Sequence, residues 1–321
     1  MIKNLGVKGN VMIKKLDLHL HLDGSMTPSY LVSQARAQGL DLPTWDQTEL
    51  LSYMCVSKGC KDLNEYLTKF ALPLTVMQTE EAMQNAVEDL CRRLEQQNVS
   101  YAEIRFAPQL HTQKGLSQEQ VVAVARKGLH NNKNFKSCLI LCCMRMEQNE
   151  DINLETVRVA KKDLGKGVVA IDLAGAEGLY PTRNFQTLFK EAACCNVPFT
   201  IHAGEADGPD SIWAALQFGA KRIGHGIRCL EDERLVAYLR EHRIPLEICI
   251  TSNLQTRAIQ GPYPLKDMLD QGLCVTLNTD NMTVSGTSLE QEFRLAREEL
   301  GLTQSEILVL ENNARYARFM K

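Results

Sequence analysis

The sequence lacks the features that mark membrane and nucleic-acid-binding proteins. No stretch of its 321 residues approaches the roughly twenty consecutive apolar residues that a membrane-spanning helix needs. The formal net charge of -3 provides no general attraction to nucleic acid or to anionic membranes. Residues 1–14 contain no apolar signal-peptide core, so we interpret them as an irregular N-terminal arm. We therefore expect neither nucleic acid nor a membrane among the partners.

Disulfide frameworks and cysteine-based metal motifs are also missing. The chain has 11 cysteines but no Cys-x-x-Cys motif, and the adjacent pairs Cys142-Cys143 and Cys194-Cys195 lie in apolar runs. Without a signal peptide, this pattern indicates reduced thiols that pack as small hydrophobic side chains. The cysteines therefore predict a cytoplasmic protein.

The sequence does contain a repeated alternation of strand-like and helix-like segments. Short apolar, β-rich runs predict strands, and amphipathic patterns at helical spacing separate most of them, as at 118–130, 154–164, 231–242 and 288–300. About eight such units in about 300 residues favour an α/β fold, a closed (β/α)₈ TIM barrel, over an open doubly wound sheet. No linker stands out, so we expect a single domain over 1–321. The predicted strands are 15–20, 100–106, 137–143, 168–173, 197–201, 222–226, 245–250 and 274–277.

The first connection is unusually long and has several helical patterns of its own. We predict a helical insertion over residues 25–98, and long insertions near a site often form lids. Phe70, Leu72 and Leu74 are candidates for covering a pocket, although we expect packing against the barrel to be their main role.

Polar side chains gather where the predicted strands end, which is where barrel enzymes carry their sites. His19 and His21 lie two residues apart on the first strand and therefore share the face that points into the barrel. His202 follows the fifth strand and Asp280 the eighth. Each residue alone also fits a structural role. Together, three neutral imidazoles and one carboxylate are a typical ligand set for zinc or another divalent transition metal.

Two further residues stand beside this set. Glu205 lies on the loop after His202, and His225 lies between two glycines after the sixth strand. A bound metal makes hydroxide available near neutral pH, so His225 and Asp280 are candidates to orient the attacking water and accept its proton. Glu205 is the candidate proton donor. The residues thus predict metal-assisted hydrolysis. We interpret the other three histidines as structural: His111, His130 and His242.

Taken in order, these motifs resemble those of the adenosine deaminase family. The matching segments are 16–24, 202–205, 224–226, 251–253 and 278–280. The resemblance implies that Glu205 protonates N1 of the purine and that His225 assists a zinc-activated hydroxide at C6. Adenosine or deoxyadenosine and water would then yield inosine or deoxyinosine and ammonia. The resemblance also implies one zinc ion per chain, with the ligands His19, His21, His202 and Asp280.

Contacts with the substrate are implied as well. Gly175 is similar to the glycine whose backbone meets the purine ring, and His21 and Asp23 to residues near the ribose 5′-hydroxyl. Asn281 stands where many members carry a second Asp that faces purine N7. Because N7 only accepts hydrogen bonds and an Asn amide donates as it stands, the difference bears on affinity rather than on activity.

Two other functions remain open. One is deamination of another aminopurine, such as adenine, AMP or a modified adenosine, although the related adenine enzymes tend to carry Glu where this chain has Asp23. The other is a catalytically idle barrel that binds nucleosides or a partner protein. The complete set of metal ligands argues against this second alternative. The segment 172–178 lacks the lysine that bridges two metals in dinuclear amidohydrolases, which favours a single metal ion.

Overall fold

The computed structural model describes residues 15–320, so the predicted N-terminal arm over 1–14 lies outside the described residues. The strands are β1 (Lys15–His21), β2 (Val99–Phe106), β3 (Lys136–Arg145), β4 (Val168–Gly175), β5 (Thr200–Ala203), β6 (Arg222–His225), β7 (Leu246–Ile248) and β8 (Val275–Leu277). The helices are α1 (Pro28–Gln38), α2 (Gln47–Met54), α3 (Leu63–Leu67), α4 (Ala71–Val76), α5 (Glu80–Gln96), α6 (Gln118–Lys127), α7 (Glu150–Asp163), α8 (Gln186–Cys194), α9 (Pro209–Phe218), α10 (Glu233–Glu241), α11 (Ile250–Gln255), α12 (Leu265–Asp270), α13 (Leu289–Glu298) and α14 (Gln304–Ala317).

Hydrogen bonds at two junctions close the strands into a barrel. Strands β1 to β4 form one parallel sheet in sequence order, and β5 to β8 form a second. The sheets join where Ile171 N donates to Pro198 O at 3.0 Å. They join again where His21 N donates to Asp280 O at 2.7 Å and Asp280 N donates to His19 O at 2.8 Å. The (β/α)₈ prediction is confirmed, and the open-sheet alternative is wrong.

Amphipathic helices cover the outside of this barrel, and α13 is representative. Its buried residues Leu289, Phe293 and Ala296 recur every three or four positions and so form one apolar stripe. Ser288 caps the helix by accepting a backbone hydrogen bond. The structure thus matches the helix predicted at 288–300 to within two residues at each end. Among the described residues, no helix combines the length and the apolar character needed to cross a bilayer.

Strand β5 begins later than the sequence predicts. The prediction was 197–201, whereas the strand spans Thr200–Ala203. Pro198 has no backbone N–H to contribute to a strand ladder, and the ladder with β6 starts only after it. As a result His202 lies inside the strand, where the neighbouring strands hold it, rather than just beyond its end.

Five helices, α1 to α5, occupy the connection between β1 and β2. Tyr66 of α3 forms a hydroxyl–hydroxyl hydrogen bond of 2.7 Å with Ser285, which follows β8. The insertion is therefore tied to the carboxyl-terminal end of the barrel, where the predicted site lies. Helix α5 anchors the insertion through one buried apolar face, formed by Met83, Val87, Leu90 and Leu94.

The junction between β4 and β5 gives a test of barrel stability. Phe199 is 3% exposed and packs against Phe189, with ring centroids 4.7 Å apart. We expect Phe199→Ala to lower the free energy of unfolding by about 3–5 kcal/mol, because it leaves a cavity at this junction. Urea unfolding measures the change. The control is Leu308→Ala at a 39% exposed position, where about 0.5 kcal/mol or less is expected; equal losses in the two variants would contradict this description.

Candidate active site

The structure brings five predicted site residues together inside the barrel. His19 and His21 lie on β1, His202 on β5 and His225 on β6, and Asp280 follows β8. Candidate ligand atoms of His19, His202, His225 and Asp280 all lie within 4.8 Å of one another. His21 joins them, since its Nε2 lies 3.2 Å from Nε2 of His202 and 3.5 Å from Oδ1 of Asp280. The cluster thus offers one donor more than the four of a tetrahedral zinc site.

Two of the histidine rings each have a buried carboxylate next to Nδ1. Oε2 of Glu247 lies 2.8 Å from Nδ1 of His19, and Oδ2 of Asp172 lies 2.8 Å from Nδ1 of His202. Arg105 donates to both carboxylates, at 2.9 Å in each case. A carboxylate on one ring nitrogen fixes the ring's orientation and makes the other nitrogen a better metal ligand. The residues present therefore fit a metal site with prepared histidine ligands.

Sequence reasoning missed Glu247 and Arg105, and it assigned no role to Asp172. All three are fully buried within strands. The one available signal is a charged residue inside an otherwise apolar strand. Such a residue needs a buried partner of opposite charge, but the amino-acid sequence does not show which residue that partner is.

Burial also sets the charge state of the histidines. It lowers the pKa of His21 and of His225 well below the usual value, against the opposing charge of Asp280. Both rings are therefore neutral near pH 7. Neutral imidazole is the form that binds metal ions.

Two neighbours orient His225. The hydroxyl of Tyr263 donates to Oδ1 of Asn253 at 2.9 Å, so the Asn253 amide nitrogen donates to Nδ1 of His225 at 3.0 Å. Nε2 of His225 lies 3.5 Å from Oε2 of Glu205. This arrangement directs the Nε2 edge of His225 toward the space between Glu205 and Asp280.

Glu205 is a buried carboxyl group, 4% exposed, at the edge of the cluster. The hydroxyl of Thr256 donates to its Oε1 at 3.1 Å. Burial raises the pKa of Glu205 well above the usual value, and the charges of Asp280 and Glu177 raise it further. A raised pKa favours the protonated form of the carboxyl group, which can donate a proton to a bound substrate.

The backbone is strained at two of these residues. His225 has φ 57° and Asp280 has φ 59°, both in the left-handed region. For residues other than glycine this costs about 1–3 kcal/mol and persists where the surroundings impose it, commonly at functional sites. Gly224 shows how tight the surroundings are, since a Cβ there would lie 3.1 Å from Cα of His202 and 3.2 Å from Cε1 of His19.

A cavity of about 400 Å³ opens onto the cluster. Its apolar wall includes Phe70 and Leu74, two of the candidates for covering a pocket. Phe70 also packs against a small apolar cluster that contains Tyr66 and Val284. Leu72, by contrast, packs against the main core as expected. The insertion therefore builds one side of the cavity.

The predicted substrate-binding residues Gly175, Asp23 and Asn281 also line this cavity, as does His21. Asp23 accepts a hydrogen bond from Gly24 N at 3.1 Å. Oδ1 of Asn281 is buried and makes no hydrogen bond with any described residue. The side-chain oxygen of Asn281 thus remains available to accept a hydrogen bond from a ligand.

The three histidines interpreted as structural lie away from the cavity lining. Nδ1 of His111 and of His242 each lie 2.9 Å from a backbone carbonyl oxygen. Nδ1 of His130 lies 3.6 Å from a carboxylate oxygen of Glu95. Each therefore has a local partner that accounts for its position.

Comparison with known proteins agrees with this geometry. The family model described as adenosine deaminase matches residues 14–321. The chain belongs to the adenosine deaminase family. Among the family's curated proteins, adenosine deaminase from Haemophilus ducreyi is 51% identical, over 95% of this chain and 91% of its own length. Adenosine deaminase from Clostridium kluyveri is 41% identical, over 88% and 82%.

Solved structures of related deaminases share the fold. An adenine deaminase from Arthrobacter aurescens has a TM-score of 0.87 at 29% identity and covers 96% of this chain and 94% of its own. An Arabidopsis N6-mAMP deaminase has a TM-score of 0.83 at 28% identity, with 96% and 94% covered. The resemblance of the motifs to the adenosine deaminase family is thereby confirmed.

The carboxylate behind His202 can be tested directly. We expect Asp172→Asn to weaken metal binding about 10- to 100-fold, because the neutral amide no longer makes the imidazole a stronger ligand. Zinc release to a competing chelator measures this. Asp163→Asn is a matched control, since Asp163 pairs with Arg126 at 2.6 Å on the outer helices. Equal metal retention in both variants would contradict the proposal that the Asp172 carboxylate strengthens His202 as a metal ligand.

Proposed function

We propose that this chain catalyses the hydrolytic deamination of adenosine and deoxyadenosine, releasing ammonia and forming inosine and deoxyinosine. One observation carries the proposal. Glu205 and His225 lie next to the cluster of imidazoles and Asp280, and all of these residues face the polar end of one cavity. Family membership supports the same reaction. The small-molecule partners are a purine nucleoside and water, and the eleven free cysteines favour a cytoplasmic setting.

The proposed cofactor is one zinc ion per chain, with His19, His21, His202 and Asp280 as ligands. Nε2 of His19 is buried and makes no hydrogen bond within the described part of the chain, which leaves it available as a ligand. His225 is assigned to the reacting water instead. Because the Asn253 amide donates to its Nδ1, the neutral ring carries its proton on Nε2, and a protonated nitrogen does not bind a metal ion. An amidohydrolase from Burkholderia ambifaria, whose 18% identity shows only a shared fold, was solved with bound zinc.

When bound, the metal supplies Lewis-acid chemistry and makes hydroxide available near neutral pH. The chain's own residues do the rest. Glu205 donates its proton to N1 of the purine, which draws electrons away from C6 and prepares it for attack. His225 orients the attacking water beside C6.

Substrate selection rests on four cavity residues, Gly175, Asn281, Asp23 and His21. The backbone of Gly175 lies against the purine ring, and the Asn281 amide donates to N7. Asp23 accepts a hydrogen bond from the ribose 5′-hydroxyl, with His21 beside it. Burial raises the pKa of Asp23 to about 6, so its carboxylate is still mostly charged at pH 7. A charged carboxylate there disfavours AMP, whose phosphate would meet a like charge.

The metal content is the first expected outcome. Purified protein should contain one equivalent of zinc per chain, and its removal should abolish deamination, because the His and Asp ligands converge on one point. Elemental analysis and an absorbance assay measure the two quantities. A requirement for two equivalents would contradict the single-metal proposal.

The second expected outcome concerns the proton donor. Glu205→Gln keeps the size and polarity of the side chain but has no proton to transfer. We expect turnover to fall at least about 10²- to 10⁴-fold, the usual contribution of general acid catalysis, with zinc still bound. Near-normal turnover would move the role to another carboxyl group, such as Asp207.

The substrate panel tests the function itself. The ultraviolet change on loss of the amine is recorded with adenosine, deoxyadenosine, adenine and AMP side by side. We expect the two nucleosides to be good substrates and the other two poor. Asp23→Ala should weaken use of adenosine by about 1.5–3 kcal/mol, the value of a hydrogen bond to a charged group, without changing any residual use of adenine. Equal use of adenine or AMP by the wild-type protein would refute the nucleoside assignment.

A further inference from the structure

Glu177, in the turn after β4, is surrounded by backbone N–H groups of one loop. Its Oε1 accepts from Gly204 N at 2.7 Å. Its Oε2 accepts from three successive amides, Glu205 N at 3.0 Å, Ala206 N at 2.7 Å and Asp207 N at 3.1 Å. The side chain is 1% exposed. A single buried carboxylate therefore binds every backbone amide of residues 204–207.

These four amides have no other backbone partner among the described residues. The loop lies between β5 and α9, so neither a strand ladder nor a helix sets its path. Buried amides that lack an acceptor are costly, and Glu177 is the acceptor that makes this path possible. Gly204 has φ 74°, and a Cβ there would lie 2.5 Å from Cδ1 of Ile212, so the turn has little freedom.

The loop fixed by Glu177 carries Glu205. The backbone of Glu205 faces Glu177, and its carboxyl group faces the other way. Its Oε1 lies 3.1 Å from the hydroxyl of Thr256, and its Oε2 lies 3.5 Å from Nε2 of His225. Glu205 lines the substrate cavity, whereas Glu177 does not. Glu177 therefore does not touch the substrate, and it reaches Glu205 in two ways, through the backbone of the loop and through its negative charge.

We propose that Glu177 is the positioning residue for the proton donor: its bonds to the amides of 204–207 place the Glu205 carboxyl group where purine N1 binds. This inference rests on the proposed role of Glu205. Small errors in the placement of a reacting group cost up to about 10²-fold in rate. Residues 204–207 and Glu177 thus act as one unit in proton donation.

Glu177→Gln tests the role at constant size. The amide replaces one accepting oxygen by an N–H group that faces N–H donors, so at least one and up to three loop bonds are lost. We expect kcat to fall about 10- to 100-fold, with KM within about threefold and zinc content unchanged. Ser211→Ala is the matched control, because it removes a neutral hydroxyl partner of the same carboxylate and leaves the four amide bonds intact. We expect it to stay within about threefold of wild type.

A double variant separates positioning from a general structural defect. If Glu177 acts through Glu205, adding Glu177→Gln to Glu205→Gln should reduce the residual kcat by no more than about twofold, because residues that act as a unit are not additive. A full further 10- to 100-fold loss, or a Glu177→Gln variant as active as Ser211→Ala, would overturn the inference. Near-normal turnover of Glu205→Gln alone would instead refute the proposed donor, a distinguishable result.

Hydrogen exchange on the wild-type protein tests the same bonds even if the Glu177 variants fail to fold. The amides of 204–207 should exchange about as slowly as those of β5, although they belong to a loop. Exchange as fast as that of exposed loop amides, such as those of Ser57 and Lys58, would overturn the inference.

Discussion

Two carboxylates at the centre of the barrel, Asp172 and Glu247, require a buried cation between them, and Arg105 supplies it. Each carboxylate lies 2.8 Å from Nδ1 of one histidine, so the charge on Arg105 stabilises both carboxylates at once. An unpaired buried charge would cost several kcal/mol. The paired arrangement instead fixes the His19 and His202 rings on two strands on opposite sides of the barrel. The rest of the site is built around these two rings.

The proposed metal ligands and the proposed proton donor are supported differently. Side chains from the barrel interior hold the histidines, whereas Glu177 holds the loop of Glu205 by its backbone. The strained backbones of His225 and Asp280 lie where the two parts meet. A barrel that only binds a nucleoside would have no use for Glu205, the proposed proton donor, buried beside the cluster. This feature argues against an idle barrel.

Much of this arrangement could be predicted from the sequence, and the missing parts share a physical cause. Hydrophobic periodicity predicts the eight strands, and the alternation of side chains along β1 places His19 and His21 on the same face. Strand β5 begins after Pro198 because proline has no backbone N–H to donate. A prediction from apolar residues alone does not take this missing donor into account. Arg105 and Glu177 could not be assigned, because their partners are separated from them in sequence and meet only in the closed barrel.

The proposed mechanism requires one metal ion beside purine C6 and one carboxyl donor, Glu205, beside the adjacent N1. A crystal structure of the zinc-loaded protein with bound inosine, recorded at the zinc absorption edge, tests it most directly. We expect a single anomalous peak, about 2.0–2.2 Å from His19, His21, His202 and Asp280, with Glu205 in hydrogen-bond contact with purine N1. A second metal peak, or a single ion bound by His225 in place of His21, would contradict the account.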